Sequence, residues 1–138
     1  MKNTNLNRLP LLDLWYESSS DKKWKVNLPF NPKFPLWSGI KSEQSNVIAF
    51  ELDPGCSLGE HKEDVEEILY VIGGKAEITV GGEIREVTEG ELVVIPEGIV
   101  HAIKNIGEAP AKFLGFFPST NHISTFTEVV SPIGLKAL

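Results

Sequence analysis

The sequence predicts an all-β domain closed into a barrel or a double sheet, and three observations point there. From Leu36 onward, short runs of β-branched, aromatic and alternating residues follow one another, each stopped by a Gly, Pro, Asp or Asn turn. No stretch sustains a 3.6-residue apolar period over the length of a helix. A flat sheet of so many short strands would leave long unpaired edges, which closure removes or protects.

Residues 1–35 are the least regular part. They mix Asn and Ser with Leu9, Leu11, Leu12, Leu14, Trp15, Trp24 and Phe30, and carry prolines at 10, 29 and 32. That apolar content predicts an arm packed on the barrel or on a second subunit, with one helical turn near Leu11 to Tyr16. Residues 36–118 form the expected barrel core. Its β-type runs are Leu36 to Ile40, Val47 to Leu52, Glu67 to Ile72, Lys75 to Val80, Ile84 to Val87, Glu91 to Ile95, His101 to Asn105 and Lys112 to Phe117. Residues 119–138 are an extension with a terminal strand at Thr125 to Val130. Gly81-Gly82, set between two alternating runs, predicts a tight hairpin, because both central residues of a type I′ turn need positive φ. Ala76, Ile78 and Val80 share one face of their strand, and Glu77 and Thr79 share the other.

At 138 residues the chain is one domain's worth, long enough to bury a core without staples. Its net charge of -6 and scattered lysines and arginines argue against a nucleic-acid partner. No apolar run approaches the roughly 20 residues of a membrane-spanning helix. The start lacks a signal-peptide pattern, and the single cysteine, Cys56, has no intrachain partner, so the expected compartment is the reducing cytoplasm.

The chemistry concentrates in two stretches, Gly55 to Gly74 and Gly90 to Asn105. His61 and Glu63 lie two apart, and in a strand residues i and i+2 project from one face. Glu67 keeps that parity across the polar Asp64 to Glu66. His101 comes from a separate strand. Two imidazoles and two carboxylates meeting at one point would suit a metal ion at roughly 2.0–2.2 Å from each donor, and the ion would offset the cost of burying the carboxylates. His61 with Glu63 alone would more often be a surface pair. Glu66, out of register with Glu67, is expected at the surface; Leu69 and Val71 are expected inside, with Tyr70 outward. Aromatic residues such as Trp37, Phe113, Phe116 and Phe117 are more often core than pocket wall. Cys56 is read as a small buried or loop residue, and His122 as solvated.

These residues carry a resemblance. Gly55, His61, Glu67 and Gly74 match the first motif of the cupin superfamily at its spacing, with Glu63 where a second histidine is expected. Gly90, Pro96, Gly98, His101 and Asn105 match every fixed position of the second motif. The chain thus resembles a small single-domain cupin, which implies a double-stranded β-helix, or jelly-roll barrel, with one divalent transition metal in its mouth. By that likeness His61, Glu67 and His101 fall on metal-ligand positions, and Glu63 is either a fourth ligand or a proton-moving base beside the ion. Oxygen-rich donors bias the site toward iron or manganese, with zinc, nickel and copper as further options. The implied activity is that of an enzyme on a polar small molecule, with a dioxygenase leading over an isomerase, cyclase, lyase or decarboxylase. The alternative is a non-catalytic barrel that binds a small ligand or sugar, or an auxiliary protein with a structural metal. A homodimer is expected from the aromatic-rich first 35 residues.

Overall fold

The computed structural model describes residues 1–138 and contains one antiparallel sheet of twelve strands. In chain order these are β1 (Leu12–Tyr16), β2 (Lys23–Asn27), β3 (Asn46–Leu52), β4 (Ser57–Glu63), β5 (Glu67–Gly73), β6 (Lys75–Val80), β7 (Glu83–Thr88), β8 (Leu92–Ile95), β9 (His101–Asn105), β10 (Ala111–Phe117), β11 (Ser124–Ser131) and β12 (Leu135–Ala137). The hydrogen-bonded path runs β7-β6-β9-β4-β11-β1-β2-β3-β10-β5-β8, with β12 pairing β11. The sheet curls on itself, so that β5 near one end of this path meets β7 at the other and β2 meets β4, which is the jelly-roll arrangement. The only helical element is a single 3₁₀ turn, Leu6–Arg8. No helix is long and apolar enough to cross a membrane.

Alternation dictates which residues form the core between the two halves. Leu69 and Val71 on β5, Ala76 and Ile78 on β6, Ile103 on β9 and Phe113 on β10 are all buried, and their sequence neighbours point outward. Fully burying one such large apolar side chain contributes about 1.5–3 kcal/mol. Tyr70 lies on the outward face and Glu66 is exposed, as parity requires. Phe113 belongs to the core, stacked on Phe50, while Trp37 and Phe116 are exposed. The β6–β7 hairpin closes with Val80 opposite Glu83, and both intervening glycines, Gly81 and Gly82, have positive φ (56° and 87°). The type I′ expectation is met.

Two local expectations are corrected. Leu11 to Tyr16 is not a helical turn: Leu12–Tyr16 is an extended strand whose Leu14 and Tyr16 are buried, so tertiary pairing with β2 and β11 overrides a weak local preference. Leu36 to Ile40 is not a strand. It is a turn-rich connection in which Trp37 Nε1 donates to the Ile40 carbonyl at 2.7 Å and Ser38 bonds back to the Pro29 carbonyl. Within the stretch set apart as an N-terminal arm, the sheet therefore claims two strands, and their Tyr16 and Trp24 pack edge to face at 5.5 Å in the core.

Candidate metal centre

β4 carries no apolar run, because its inward face sets His61 and Glu63 beside a single large apolar residue, Leu58. Opposite β9, it pairs Leu58 with Ile103 and then His61 with His101, so three steps on β4 match two on β9. This one-residue bulge lets Leu58 and His61 both point inward despite their odd spacing. Gly59 sits within the bulge. From His61 the ordinary period of two resumes, and Glu63 is also inward. His101 faces it from β9, and Glu67 enters from β5 in the opposite half of the barrel.

Both imidazoles are locked. His61 Nδ1 lies 2.7 Å from the Gly59 carbonyl and His101 Nδ1 lies 2.9 Å from the Ile99 carbonyl. A carbonyl can only accept, so each Nδ1 carries the hydrogen; in the neutral ring each Nε2 is then the lone-pair atom able to ligate, and it is also the atom a second proton would occupy in the metal-free protein. His61 Nε2 is 3.2 Å from Glu63 Oε1. His101 Nε2 is 3.6 Å from Glu67 Oε1, too long for a hydrogen bond, and it is a buried polar atom with no partner. All four residues are nearly inaccessible, at 2–4% exposure.

Ligand atoms of His61, Glu63 and His101 all lie within 4.8 Å of one another. Glu67 stands outside that mutual set, with Oε1 3.6 Å from His101 Nε2. Of the four residues expected to converge, the structure thus groups three tightly and holds the fourth against them. Buried imidazoles and carboxylates with an orphaned, correctly tautomerised nitrogen are a donor set suited to a divalent transition ion.

The surroundings contain residues that motif spacing does not reveal. Phe126 of β11 stacks on His61, with centroids 4.9 Å apart and planes at 17°, and Trp24 stacks behind Phe126 at 5.6 Å. Trp24 of β2 thereby buttresses the His61 ring through Phe126. Ser124, paired with Glu63 in register, donates its hydroxyl to Glu63 Oε2. Gly115, on the inner face of β10, leaves the space that Glu67 fills: a Cβ there would stand 2.2 Å from Glu67 Oε2. A glycine inside a strand signals such close approach, although it does not say to what. His122, expected in solvent, is half-buried and stacked on Phe117 at 3.9 Å. Packing of the loop against β10 outweighs its polar composition. Asn105 holds its turn with its amide, donating to the carbonyls of Leu52 and Ala109. Cys56 is buried, and burial pushes its thiol up, away from the thiolate a nucleophile needs.

The charges couple. Burial alone would raise the Glu63 carboxyl, but the His61 hydrogen bond and charge, the Ser124 hydroxyl and His101 outweigh it and hold Glu63 below the usual carboxylate range. Burial would lower His101, yet Glu67, the Ile99 carbonyl and the Glu63 charge outweigh it and raise the imidazolium. The metal-free protein should follow these signs. The Glu63 contribution to stability is present above its unfolded value near 4.5 and is lost as pH falls through the depressed folded value. The His101 contribution is present below its unfolded value near 6.5 and is lost as pH rises through the raised folded value. Metal affinity should run the other way, rising with pH as the proton leaves His101. Thermal melts of apo and loaded protein across this range check both signs, and an apo midpoint indifferent to pH would refute the coupling.

An inward His/Glu cluster between the halves of a jelly roll defines a small β-barrel with a candidate metal centre. The chain belongs to the cupin family: the Cupin domain matches residues 49–117. It is 38% identical over 92 residues to an uncharacterized protein of Methanocaldococcus jannaschii, covering 65% of this chain and 71% of that one. It is 29% identical over 79 residues to an uncharacterized protein of Streptomyces coelicolor, covering 57% and 75%. In fold it is similar to Lactobacillus farciminis oxalate decarboxylase in its formate complex, with a TM-score of 0.71 at 22% identity. That match covers 89% of this chain and 35% of the decarboxylase. It is also similar to the cupin domain of Schizosaccharomyces pombe Cnp3, with a TM-score of 0.65 at 16% identity, covering 85% and 73%. A Bacillus subtilis oxalate decarboxylase structure described by its Mn(II) centres matches with a TM-score of 0.62 at 23% identity, over 82% of this chain and 30% of that one.

Proposed function

We propose that this cupin is a mononuclear metal-dependent enzyme acting on a small polar molecule, with oxygen-dependent chemistry as its leading reaction class. The observation that carries the proposal is the pair of imidazoles whose Nδ1 hydrogens are tied to backbone carbonyls, with both Nε2 atoms beside buried carboxylates. His61, His101 and Glu63 form a two-histidine, one-carboxylate set of the kind associated with non-haem Fe(II) oxygenases. Iron or manganese suits these donors best, and the Mn(II) centres of the B. subtilis decarboxylase, a fold neighbour, support a divalent ion. When bound, the ion supplies Lewis-acid polarisation of a substrate oxygen or, as iron, a site for oxygen chemistry.

The chain's own residues do the rest. His61 and His101 would hold the ion through Nε2, and their backbone-tied Nδ1 hydrogens fix ring orientation and tautomer. Glu63 would join them through its other carboxylate oxygen, since Oε2 is held by Ser124. Glu67, across the barrel in the space beside Gly115, either completes the set or takes and returns a proton at a substrate oxygen. The barrel walls keep bulk water from the cluster, which strengthens each of these electrostatic contacts.

Protein purified without chelator should contain close to one transition ion per chain by elemental analysis. Glu63→Ala should weaken binding of added Mn(II) by about 10-fold or more, since a carboxylate beside both imidazoles is lost. Full metal retention in that variant would transfer Glu63 to the proton-moving role. Absence of any bound transition ion in the wild type after reconstitution would defeat the proposal.

A further inference from the structure

The geometry points to His122 as the residue that hydrogen-bonds a small oxygen ligand at the metal centre, through Nδ1. It lies outside both sequence motifs. Its Nδ1 is buried and has no hydrogen-bond partner in the protein. A buried polar atom without a partner carries a desolvation cost that a ligand or an ordered water would relieve.

The placement is built rather than accidental. The His122 ring lies nearly flat on Phe117, centroids 3.9 Å apart and planes at 18°. Phe117 is inward on β10, two residues beyond Gly115, the position that accommodates the Glu67 carboxylate. The segment after His122 is pinned to the strand end that carries Glu63. Ile123 N donates to Asp64 Oδ1 at 2.8 Å, Asp64 N donates to the Ile123 carbonyl at 3.2 Å, and Ser124 bonds Glu63. His122 is thereby held at the same end of the barrel as the four donors, and the Glu63, Asp64 and Glu67 charges all bear on it. The Asp64 carboxylate is already engaged by Ile123, whereas His122 is uncommitted. A neutral imidazole there offers an N–H to a carboxylate, carbonyl or enediol oxygen.

This assignment rests on the metal-centre reading, and the test separates the two. Co(II)-loaded protein is titrated with acetate, as the simplest carboxylate probe, while the visible spectrum of the ion is followed. His122→Phe keeps the stack on Phe117 and removes both nitrogens. His122→Asn returns an amide close to the Nδ1 position. The expected result is unchanged cobalt stoichiometry in both variants, acetate affinity about 10-fold weaker in His122→Phe, and recovery to within about 3-fold in His122→Asn. Equal acetate affinity in wild type and His122→Phe, or a wild-type spectrum that acetate does not change, overturns the role of His122 while leaving the metal centre standing. A wild type that takes up no cobalt overturns both.

Discussion

His101→Ala is expected to abolish stoichiometric metal binding, with affinity for Mn(II) or Fe(II) reduced by at least about 100-fold. Losing a residue that merely orients a ligand already costs 10- to 100-fold in affinity, and His101 is read as a ligand itself. The expectation rests on the geometry of one atom. His101 Nε2 is buried, aimed inward, stripped of alternatives by the Nδ1 bond to Ile99, and unpartnered at 3.6 Å from Glu67. No other imidazole can replace it, since His61 is already part of the set and His122 is held on Phe117. In the metal-free protein the same substitution removes the cation that faces Glu67 and leaves a buried carboxylate without its neighbour. The apo variant should therefore melt below the apo wild type, most clearly at pH values where His101 is protonated. Elemental analysis after dialysis and apo melting curves read the two effects separately. Full metal content in His101→Ala would sink the ligand assignment.

What could be read from the chain beforehand follows the chemistry of each residue. Metal ligation needs particular side chains at fixed spacing, so His61, Glu63, Glu67 and His101 stood out together. The glycine-bounded hairpin at Gly81-Gly82 was legible for a similar reason, because positive φ selects residue type. β1 and β2 were harder. Leu12-Asp13-Leu14-Trp15-Tyr16 and Lys23-Trp24-Lys25-Val26 do alternate, but prolines and polar residues around them mask the period, and their strand character comes from pairing with β11 and β3. The bulge on β4 could not be counted from one strand alone, since it exists only relative to β9. Ser124, Phe126 and His122 reach the centre through sheet register and loop packing between segments some sixty residues apart in sequence, which leave no local trace.

Gly115 should be a sensitive position although it bears no functional group. Alanine there places a Cβ 2.2 Å from Glu67 Oε2 and 2.7 Å from Ile48 Cγ2, contacts that real structures do not tolerate. The Glu67 carboxylate must swing away or β10 must shift against β3 and β5, both of which it pairs. Overpacking of this kind costs about 1–3 kcal/mol. Because Glu67 is the displaced group, metal affinity should fall together with stability, by about 10-fold. A double-mutant cycle tests the cause. In a Glu67→Ala background the carboxylate clash is gone and only Ile48 remains, so Gly115→Ala should cost clearly less stability and should no longer change metal affinity. Additive effects in the two backgrounds would mean that Gly115 acts on the strand alone. Coupling of 1 kcal/mol or more would show that the missing side chain of Gly115 is what gives the Glu67 carboxylate its place beside His101.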